Sequence, residues 1–201
     1  MCGRVYMAPA NPELRELVKE MNRSRLAEHF QSGKQEPLDA KGEIFPSSVM
    51  PVLATGRNGE QRVFPMKWGF TMKNGLLINA RAETAAEKPV FRESWQKHRC
   101  IIPASWYFEW EHTDKNKPGR KYALKPDTTE LIWLAGLYRT ENGLPSFVIL
   151  TRPATKDLVW MHNRMPVILP EKLISQWVNP LARPEKLISE CITQVVWKQA
   201  I

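Results

Sequence analysis

The segment LIWLAGLYRTENGLPSFVILT, residues 131–151, contains two runs of strand-forming residues on either side of one turn. Leu131–Tyr138 and Ser146–Thr151 are rich in the aliphatic, β-branched and aromatic side chains that are typical of β-strands. Asn142-Gly143 lies between them and is the dipeptide most typical of a tight β-hairpin. The segment therefore predicts two neighbouring antiparallel strands joined by a short turn.

Further runs of the same kind continue on both sides of this hairpin. Asn74-Gly75 is a second hairpin signal, and other turn residues separate many of the runs. The sheet is therefore expected to be largely antiparallel. The remaining predicted strands are Val49–Ala54, Gln61–Met66, Leu76–Asn79, Arg99–Pro103, Trp106–Trp110, Lys121–Lys125, Met165–Leu169 and Thr193–Lys198.

Helix signals lie toward the two ends of the chain. Asn11-Pro12 combines a capping residue with proline at the first helical position, and apolar residues follow at helical spacing. The hexapeptide PEKLIS occurs at 170–175 and again at 184–189, which predicts two similar helix starts but is too short for a structural repeat. No linker or low-complexity segment interrupts the chain. We therefore expect one α+β domain over residues 1–201.

Composition limits the classes of protein to which the chain could belong. Its 201 residues are 43% hydrophobic, which is enough for a full core without disulfides or metals. Lysine and arginine total 29 against 21 aspartates and glutamates, a net charge of +8. This excess favours polyanionic partners, nucleic acid above all. Charge alone would be equally compatible with a role in solubility.

The sequence also predicts where the protein works and what it does not bind. No apolar run approaches the roughly 20 residues that a membrane span requires, and the N-terminus does not resemble a signal peptide. Three cysteines without a CxxC pair suit a reducing compartment, so we expect a cytoplasmic protein. No metal-ligand spacing and no glycine-rich phosphate loop is present, and no cofactor is expected.

Cys2 is the first candidate for chemistry, because methionine before a small residue is normally excised in the cytosol. Removal of Met1 would leave an α-amine and a thiol on adjacent carbons. The amine, with a pKa near 7.7–8.0, can form a Schiff base with an aldehyde, and the thiol can then close a thiazolidine ring. The thiol could instead attack a carbonyl, as in N-terminal nucleophile hydrolases. Position alone favours a small buried residue at a frayed end, because any protein can happen to begin with Met-Cys.

Three other short segments carry polar groups suited to a reaction site. Strand alternation would place Asn79 and Arg81 on one face, where they could orient a carbonyl or bind phosphate. Glu109 lies within an aromatic strand, and burial would raise its pKa and make it a proton shuttle. His162, at a predicted helix-to-strand junction, could act as a general acid or base beside Arg164. The residues alone leave structural roles open for all of these side chains.

Aromatic and basic residues interleave in two places. Lys67-Trp68-Gly69-Phe70 sets a lysine beside possible stacking surfaces, and the loop His112–Lys125 carries five lysines and arginines. Stacking surfaces combined with cations are what single-stranded nucleic acid requires of a protein. The alternative for most of the eight tryptophans is the hydrophobic core.

Together these segments resemble the SRAP family, the SOS response-associated peptidases, also described as abasic-site processing proteins. Each motif is weak alone, but their order and spacing along nearly the whole chain are specific. The resemblance rests on Met1-Cys2-Gly3-Arg4, Trp68-Gly69-Phe70, Asn79–Thr84, Arg99–Ala104 with Tyr107–Trp110, Leu134–Tyr138, Ile149–Thr151 and His162–Leu169.

The resemblance implies a barrel-like, mainly antiparallel β-sheet with peripheral helices and a basic cleft for DNA. It implies that mature Cys2 crosslinks to the ring-opened aldehyde of an abasic site in single-stranded DNA. Asn79 would orient the N-terminus and the opened sugar, while Glu109 and His162 would move protons. The DNA contacts that it implies are Arg4, Trp68, Arg81 and Arg164.

The chain departs from the expected family pattern at two points, and two other functions remain open. Trp106 occupies the position of an expected glycine, and the stretch between Trp68 and Asn79 is short. One alternative is a thiol peptidase that uses Cys2 with Glu109 and His162. The other is a non-covalent binder of single-stranded nucleic acid. No exposed apolar stripe indicates self-association, so a monomer is expected.

Overall fold

A computed structural model of the protein describes residues 2–31, 36–113 and 119–200. Strands form most of its regular structure, and short helices connect or flank them. The strands are β1 Arg4–Met7, β2 Gly42–Ile44, β3 Val49–Thr55, β4 Gln61–Trp68, β5 Phe70–Met72, β6 Gly75–Leu77, β7 Asn79–Arg81, β8 Arg99–Ala104, β9 Trp106–Trp110, β10 Lys121–Lys125, β11 Ile132–Glu141, β12 Leu144–Pro153, β13 Arg164–Pro166, β14 Ile168–Leu169 and β15 Val196–Gln199. The helices are α1 Pro12–Arg23, α2 Arg25–Phe30, α3 Pro89–Lys97, α4 Ile174–Val178 and α5 Pro184–Ser189, with a 3₁₀ turn at Glu171–Leu173.

Five strands close into a barrel-like ring in the order β12, β4, β3, β8, β11 and back to β12. The pairs within this ring are antiparallel except β4 with β12, which run parallel. Strands β7 and β13 pair with β12 outside the ring. The predicted α+β class with a curled, mainly antiparallel sheet is therefore confirmed.

The hairpin of β11 and β12 forms as its sequence predicts. Asn142 and Gly143 both have positive φ angles, 51° and 82°, as a tight hairpin turn with matching twist requires. The strands continue up to this turn, beyond the predicted Tyr138 and Ser146. Within β11, Gly136 lies so close to its neighbours that a Cβ atom would be 2.4 Å from Ile102 Cδ1. A larger residue would therefore separate the strands.

A second sheet covers the barrel with five antiparallel strands in the order β15-β10-β9-β1-β2. Val5 and Tyr107 belong to its buried face and join the cluster that also contains Ile102 and Ile149 of the barrel. The opposite face includes the half-buried Tyr6. Strand alternation accounts for this division, since neighbouring residues point to opposite faces.

Helices pack on the outside of these strands. Helix α1 begins where the sequence predicts, because Asn11 Oδ1 accepts the backbone N–H of Leu14 at 3.0 Å. Helices α3, α4 and α5 cover a second cluster, which includes Phe91 of α3 and Ile101 of β8. Among the described residues, no helix is both long and apolar enough to cross a membrane.

Some predicted element boundaries differ from the structure. The predicted strand Leu76–Asn79 is divided at Ile78, because β6 pairs with β5 whereas β7 moves over to β12. The predicted strand Met165–Leu169 is likewise divided at Val167 into β13 and β14. Each division marks a point where the backbone changes its hydrogen-bonding partner, which residue preferences do not reveal.

Arg99 is almost completely buried, with 2% of its surface exposed, at the junction of β8 with α3 and α4. Its guanidinium donates to the carbonyl oxygens of Trp177 at 2.8 Å and Trp95 at 2.7 Å. It also bonds the carbonyls of Gln96, Asn179 and Ala182. These carbonyls lie at or near helix ends, where no intrahelical N–H group is left to donate to them. By donating to them, Arg99 connects α3 and α4 to the barrel.

Candidate active site

The four predicted catalytic residues come from segments that meet between the two sheets. Cys2 directly precedes the β1 region, and Glu109 lies on β9, which pairs with β1. Asn79 begins β7, and His162 precedes β13, so both lie beside β12. The predicted grouping therefore depends on the packing of the barrel against the five-stranded sheet.

A hydrogen bond connects Cys2 with Asn79 across that junction. The Asn79 side-chain N–H donates to the carbonyl oxygen of Cys2 at 3.0 Å, and Cys2 is completely buried. Asn79 Oδ1 is also buried, and no described residue donates a hydrogen bond to it. An unpaired buried carbonyl oxygen is unfavourable. Asn79 thus holds the backbone at Cys2.

The thiol of Cys2 lies in surroundings that keep it protonated. Burial raises the pKa of the Cys2 thiol well above its usual value, and the negative charge of Glu109 raises it further. A thiolate nucleophile normally depends on the opposite effect, a pKa lowered by a cation or a helix N-terminus. Cys2 is therefore a neutral thiol at physiological pH.

His162 is also neutral in this site. Burial lowers the pKa of His162 below its ordinary value near 6.5, and the charge of Glu109 partly opposes this effect. Its Nδ1 accepts the backbone N–H of Arg164 at 2.9 Å. Because Nδ1 uses its lone pair as an acceptor, we assign the ring proton to Nε2. His162 therefore offers an N–H donor rather than a free basic nitrogen.

Tyr107 is a site residue to which the sequence analysis gave no role. It is 1% exposed, and burial raises the pKa of its phenol well above the usual value, with smaller contributions from Cys2 and Glu109. Strand alternation could have revealed it, since Tyr107 and Glu109 are two residues apart on β9 and share a face.

The predicted DNA-binding arginines differ in their exposure and in the contacts that their side chains already make within the protein. Arg164 forms two hydrogen bonds with Glu83, at 2.6 and 2.8 Å, and its side chain is 12% exposed. Arg4 pairs with Glu43 at 2.7 Å and is 35% exposed. The side chain of Arg81 is exposed and makes no hydrogen bond or salt bridge within the described ranges. Arg81 is therefore the arginine most available for a phosphate.

Trp68 lies in the core rather than at the predicted DNA-binding surface. It is 0% exposed, stacks on Phe147 with ring centroids 6.0 Å apart, and donates its indole N–H to the Ile78 carbonyl at 3.1 Å. Its predicted role as a DNA contact is therefore wrong for this structure. In the predicted basic loop, Lys115 and Lys117 lie outside the described residues.

Metal coordination has no support within the described part of the chain. No group of three or more histidine, cysteine, aspartate or glutamate side chains there is arranged to hold a metal ion. Such a group would be needed to hold a catalytic or structural metal with protein ligands alone.

We expect Glu109→Gln to lower the pKa of His162 further, because the substitution removes the negative charge that favours the imidazolium form. The titration of histidine ring-proton resonances by NMR measures this shift. Glu111→Gln is the matched control, since it removes a nearby carboxylate from the same chain segment. An unchanged or raised His162 pKa in Glu109→Gln, with the control unchanged, would contradict the arrangement described above.

Comparisons with known proteins agree on one family. The family model for SOS response associated peptidase (SRAP) matches residues 1–199. The abasic site processing protein YoaM of Bacillus subtilis is 32% identical over 194 residues, covering 90% of this chain and 80% of that protein. The abasic site processing protein YedK of Escherichia coli is 31% identical over 186 residues, covering 89% and 79%.

Solved structures agree on the fold. A phage-related protein from Bordetella bronchiseptica superposes with a TM-score of 0.75 at 22% identity, covering 99% of this chain and 94% of that one. A protein from Bacteroides thetaiotaomicron gives a TM-score of 0.72 at 23% identity, covering 98% and 91%. With a family match over nearly the whole sequence and the same fold in solved structures, the chain belongs to the SOS response associated peptidase (SRAP) family.

Proposed function

We propose that this protein processes abasic sites in single-stranded DNA by forming a covalent bond between Cys2 and the sugar aldehyde of the lesion. The observation that carries the proposal is the buried Cys2, held by Asn79 and influenced by the charge of Glu109. The names of the relatives YoaM and YedK, both abasic site processing proteins, support the choice of lesion. The net charge of +8 supports a DNA partner.

The proposed reaction begins when removal of Met1 leaves an α-amine on Cys2. The amine nitrogen attacks the aldehyde carbon C1′ of the ring-opened sugar, and the resulting carbinolamine loses one water to form an imine. The Cys2 sulfur then bonds to the imine carbon while its proton passes to the nitrogen, which closes a thiazolidine ring. The net change is the loss of one water.

The neighbouring residues have separate roles in this proposal. Glu109 accepts and returns protons at the amine, and Asn79 holds the chain end in position. Neutral His162 donates its Nε2–H to an oxygen of the opened sugar, which stabilises negative charge developing there. Arg81 and, with its remaining exposure, Arg4 bind phosphates on either side.

The second candidate is a thiol peptidase, which the family description favours. Its substrate could be the Met1–Cys2 bond of the chain itself. The raised pKa of the Cys2 thiol argues against it, because acyl transfer by cysteine normally starts from a thiolate. In ring closure the imine nitrogen lies next to the thiol and takes its proton as the sulfur attacks, so the reaction supplies its own base. The site therefore supports covalent DNA capture better than peptide hydrolysis.

Intact mass spectrometry of the purified protein, before and after incubation with an abasic oligonucleotide, tests the proposal. We expect protein without Met1, and then a species heavier by the oligonucleotide minus one water. An oligonucleotide with a tetrahydrofuran analogue, which has no aldehyde, is the matched control and should add nothing. Processed protein that forms no adduct with the abasic strand would contradict the proposal, and turnover of an added peptide would favour the peptidase.

A further inference from the structure

A groove crosses the outer face of the five-stranded sheet, on the side away from the barrel. Its cavity measures about 530 Å³, within the range of roughly 300–1,000 Å³ typical of ligand sites. Strands β1, β9, β10 and β15 supply most of its wall. The residues that matter for its chemistry are Tyr6, Trp106, Phe108, Lys121, Lys125 and Lys198.

The groove contains an aromatic platform built by strand pairing. Tyr6 and Trp106 are register partners on β1 and β9, and their rings stack with centroids 4.3 Å apart and planes 5° apart. Phe108 meets both rings edge-on, at 6.3 and 6.5 Å. Two flat rings held parallel by a sheet lose little entropy when a third flat ring stacks on them, which suits the binding of a nucleobase.

Ring contacts, rather than hydrogen bonds of its side chain, hold Trp106 in place within the described residues. Its indole nitrogen is buried, and no described residue accepts a hydrogen bond from it. Such an unpaired donor costs stability.

The groove is positively charged along one wall. Lys121 pairs with Glu43 at 2.7 Å, and Arg4 pairs with the other oxygen of the same carboxylate, so this group keeps a net positive charge. The Lys125 ammonium donates to the backbone carbonyl of Thr129 at 3.0 Å and forms no salt bridge with a described residue, and Lys198 is exposed. Cations beside an aromatic platform match the phosphates and bases of a single strand.

The groove also lies next to the proposed reaction site. Glu43 lines it and contacts Arg4, which stands between Cys2 and Tyr6 along the chain. At about 3.3 Å per residue of extended strand, Cys2 and Tyr6 are separated by about 13 Å. A DNA strand that leaves the site past Arg4 would therefore enter the groove.

We propose that this groove binds nucleotides of the same DNA strand beside the abasic site, with a base stacked on the Tyr6–Trp106 pair. Phosphates of that segment bind Lys125 and Lys198. The identity of the ligand rests on the proposed function, whereas the binding itself requires no covalent step. The groove would take over the stacking role that the buried Trp68 cannot perform.

Non-covalent binding of an undamaged single-stranded oligonucleotide of about 16 nucleotides tests this inference in the Cys2→Ala background. We expect added Trp106→Ala to weaken binding at least tenfold, and Trp106→Phe, which keeps an aromatic ring, to weaken it less than threefold. Fluorescence anisotropy measures the affinities, and thermal unfolding confirms that each variant is folded. Folded Trp106→Ala protein that binds like its parent would overturn the proposal.

A second variant keeps the test decisive where Trp106→Ala does not fold. The double change Lys125→Ala and Lys198→Ala removes two groove lysines outside the core. We expect it to weaken binding and to reduce the slope of log affinity against log salt by about 1.4, since each phosphate contact of a single strand contributes about 0.7. Lys97→Ala together with Lys88→Ala, at the two ends of α3, is the matched control. Equal losses of DNA affinity in both lysine pairs would show only a general effect of charge and would overturn the proposed binding in the groove. Failure to crosslink abasic DNA would leave these binding results unchanged.

Discussion

Cys2→Ala is expected to lower the yield of heat-stable adduct with abasic single-stranded DNA by about a hundredfold or more, because alanine has no sulfur to close the ring. The variant still has an α-amine once Met1 is removed. We therefore expect it to form an imine that hydrolyses on heating but is trapped by borohydride. Denaturing gels with and without the reductant measure both results.

Cys191→Ala is the matched control for this experiment. Cys191 is also a buried free cysteine, but it lies in the helical cluster and its sulfur contacts Arg152. We expect this variant to form the heat-stable adduct like the unaltered protein. A Cys2→Ala protein that crosslinks without reductant as well as the control would show that another nucleophile attacks the lesion.

Arg99→Leu is expected to lower the free energy of unfolding by about 3 kcal/mol or more, since several buried carbonyl oxygens would lose their donor at about 1–3 kcal/mol each. The side chain of leucine fits an apolar environment but cannot satisfy the carbonyls of Trp95 and Trp177. Chemical denaturation at equilibrium, with all variants at the same pH, measures the loss.

The control for Arg99 is Arg92→Leu on the exposed side of α3. The side chain of Arg92 donates a hydrogen bond to the Glu87 carbonyl at 2.9 Å, and surface changes of this kind usually stay within about 0.5 kcal/mol. We expect the stability of Arg99→Lys to lie between those of Arg99→Leu and Arg92→Leu, because an ammonium group keeps the charge but has fewer donors in a different geometry. Equal stability of Arg99→Leu and the control would show that the helix ends do not depend on Arg99.

The parts of the fold that could be predicted are those that neighbouring residues decide. The β11–β12 hairpin follows from Asn142-Gly143, and the start of α1 follows from Asn11-Pro12. Helix α3 was missed because Lys88 provides no side-chain cap, and of the three residues that the helix buries only Phe91 and Trp95 are apolar. The parallel pairing of β4 with β12 was also missed, since it joins residues about 80 positions apart and no local signal encodes it.

The features of the candidate site also fall into those that the sequence could predict and those that it could not. The identities of Cys2, Asn79, Glu109 and His162 came from the family resemblance together with the chemistry of their side chains. Their burial, the occupied Nδ1 of His162 and the neutral thiol of Cys2 depend on tertiary packing. Trp68 is the clearest example of what sequence context cannot predict. An aromatic residue beside a lysine has the same local sequence whether its ring faces DNA or the core.

Cys2 lies two residues before β1, and this position decides how a mechanical load on attached DNA would reach the sheet. A DNA strand joined to Cys2 would transmit any pull from a moving polymerase or helicase to the first strand of the sheet. Strand β1 is hydrogen-bonded on both sides, to β9 and to β2. A load along β1 would act on these bonds together in shear, rather than opening them one after another. The strand next to the covalent attachment would thus resist the load through several hydrogen bonds at once.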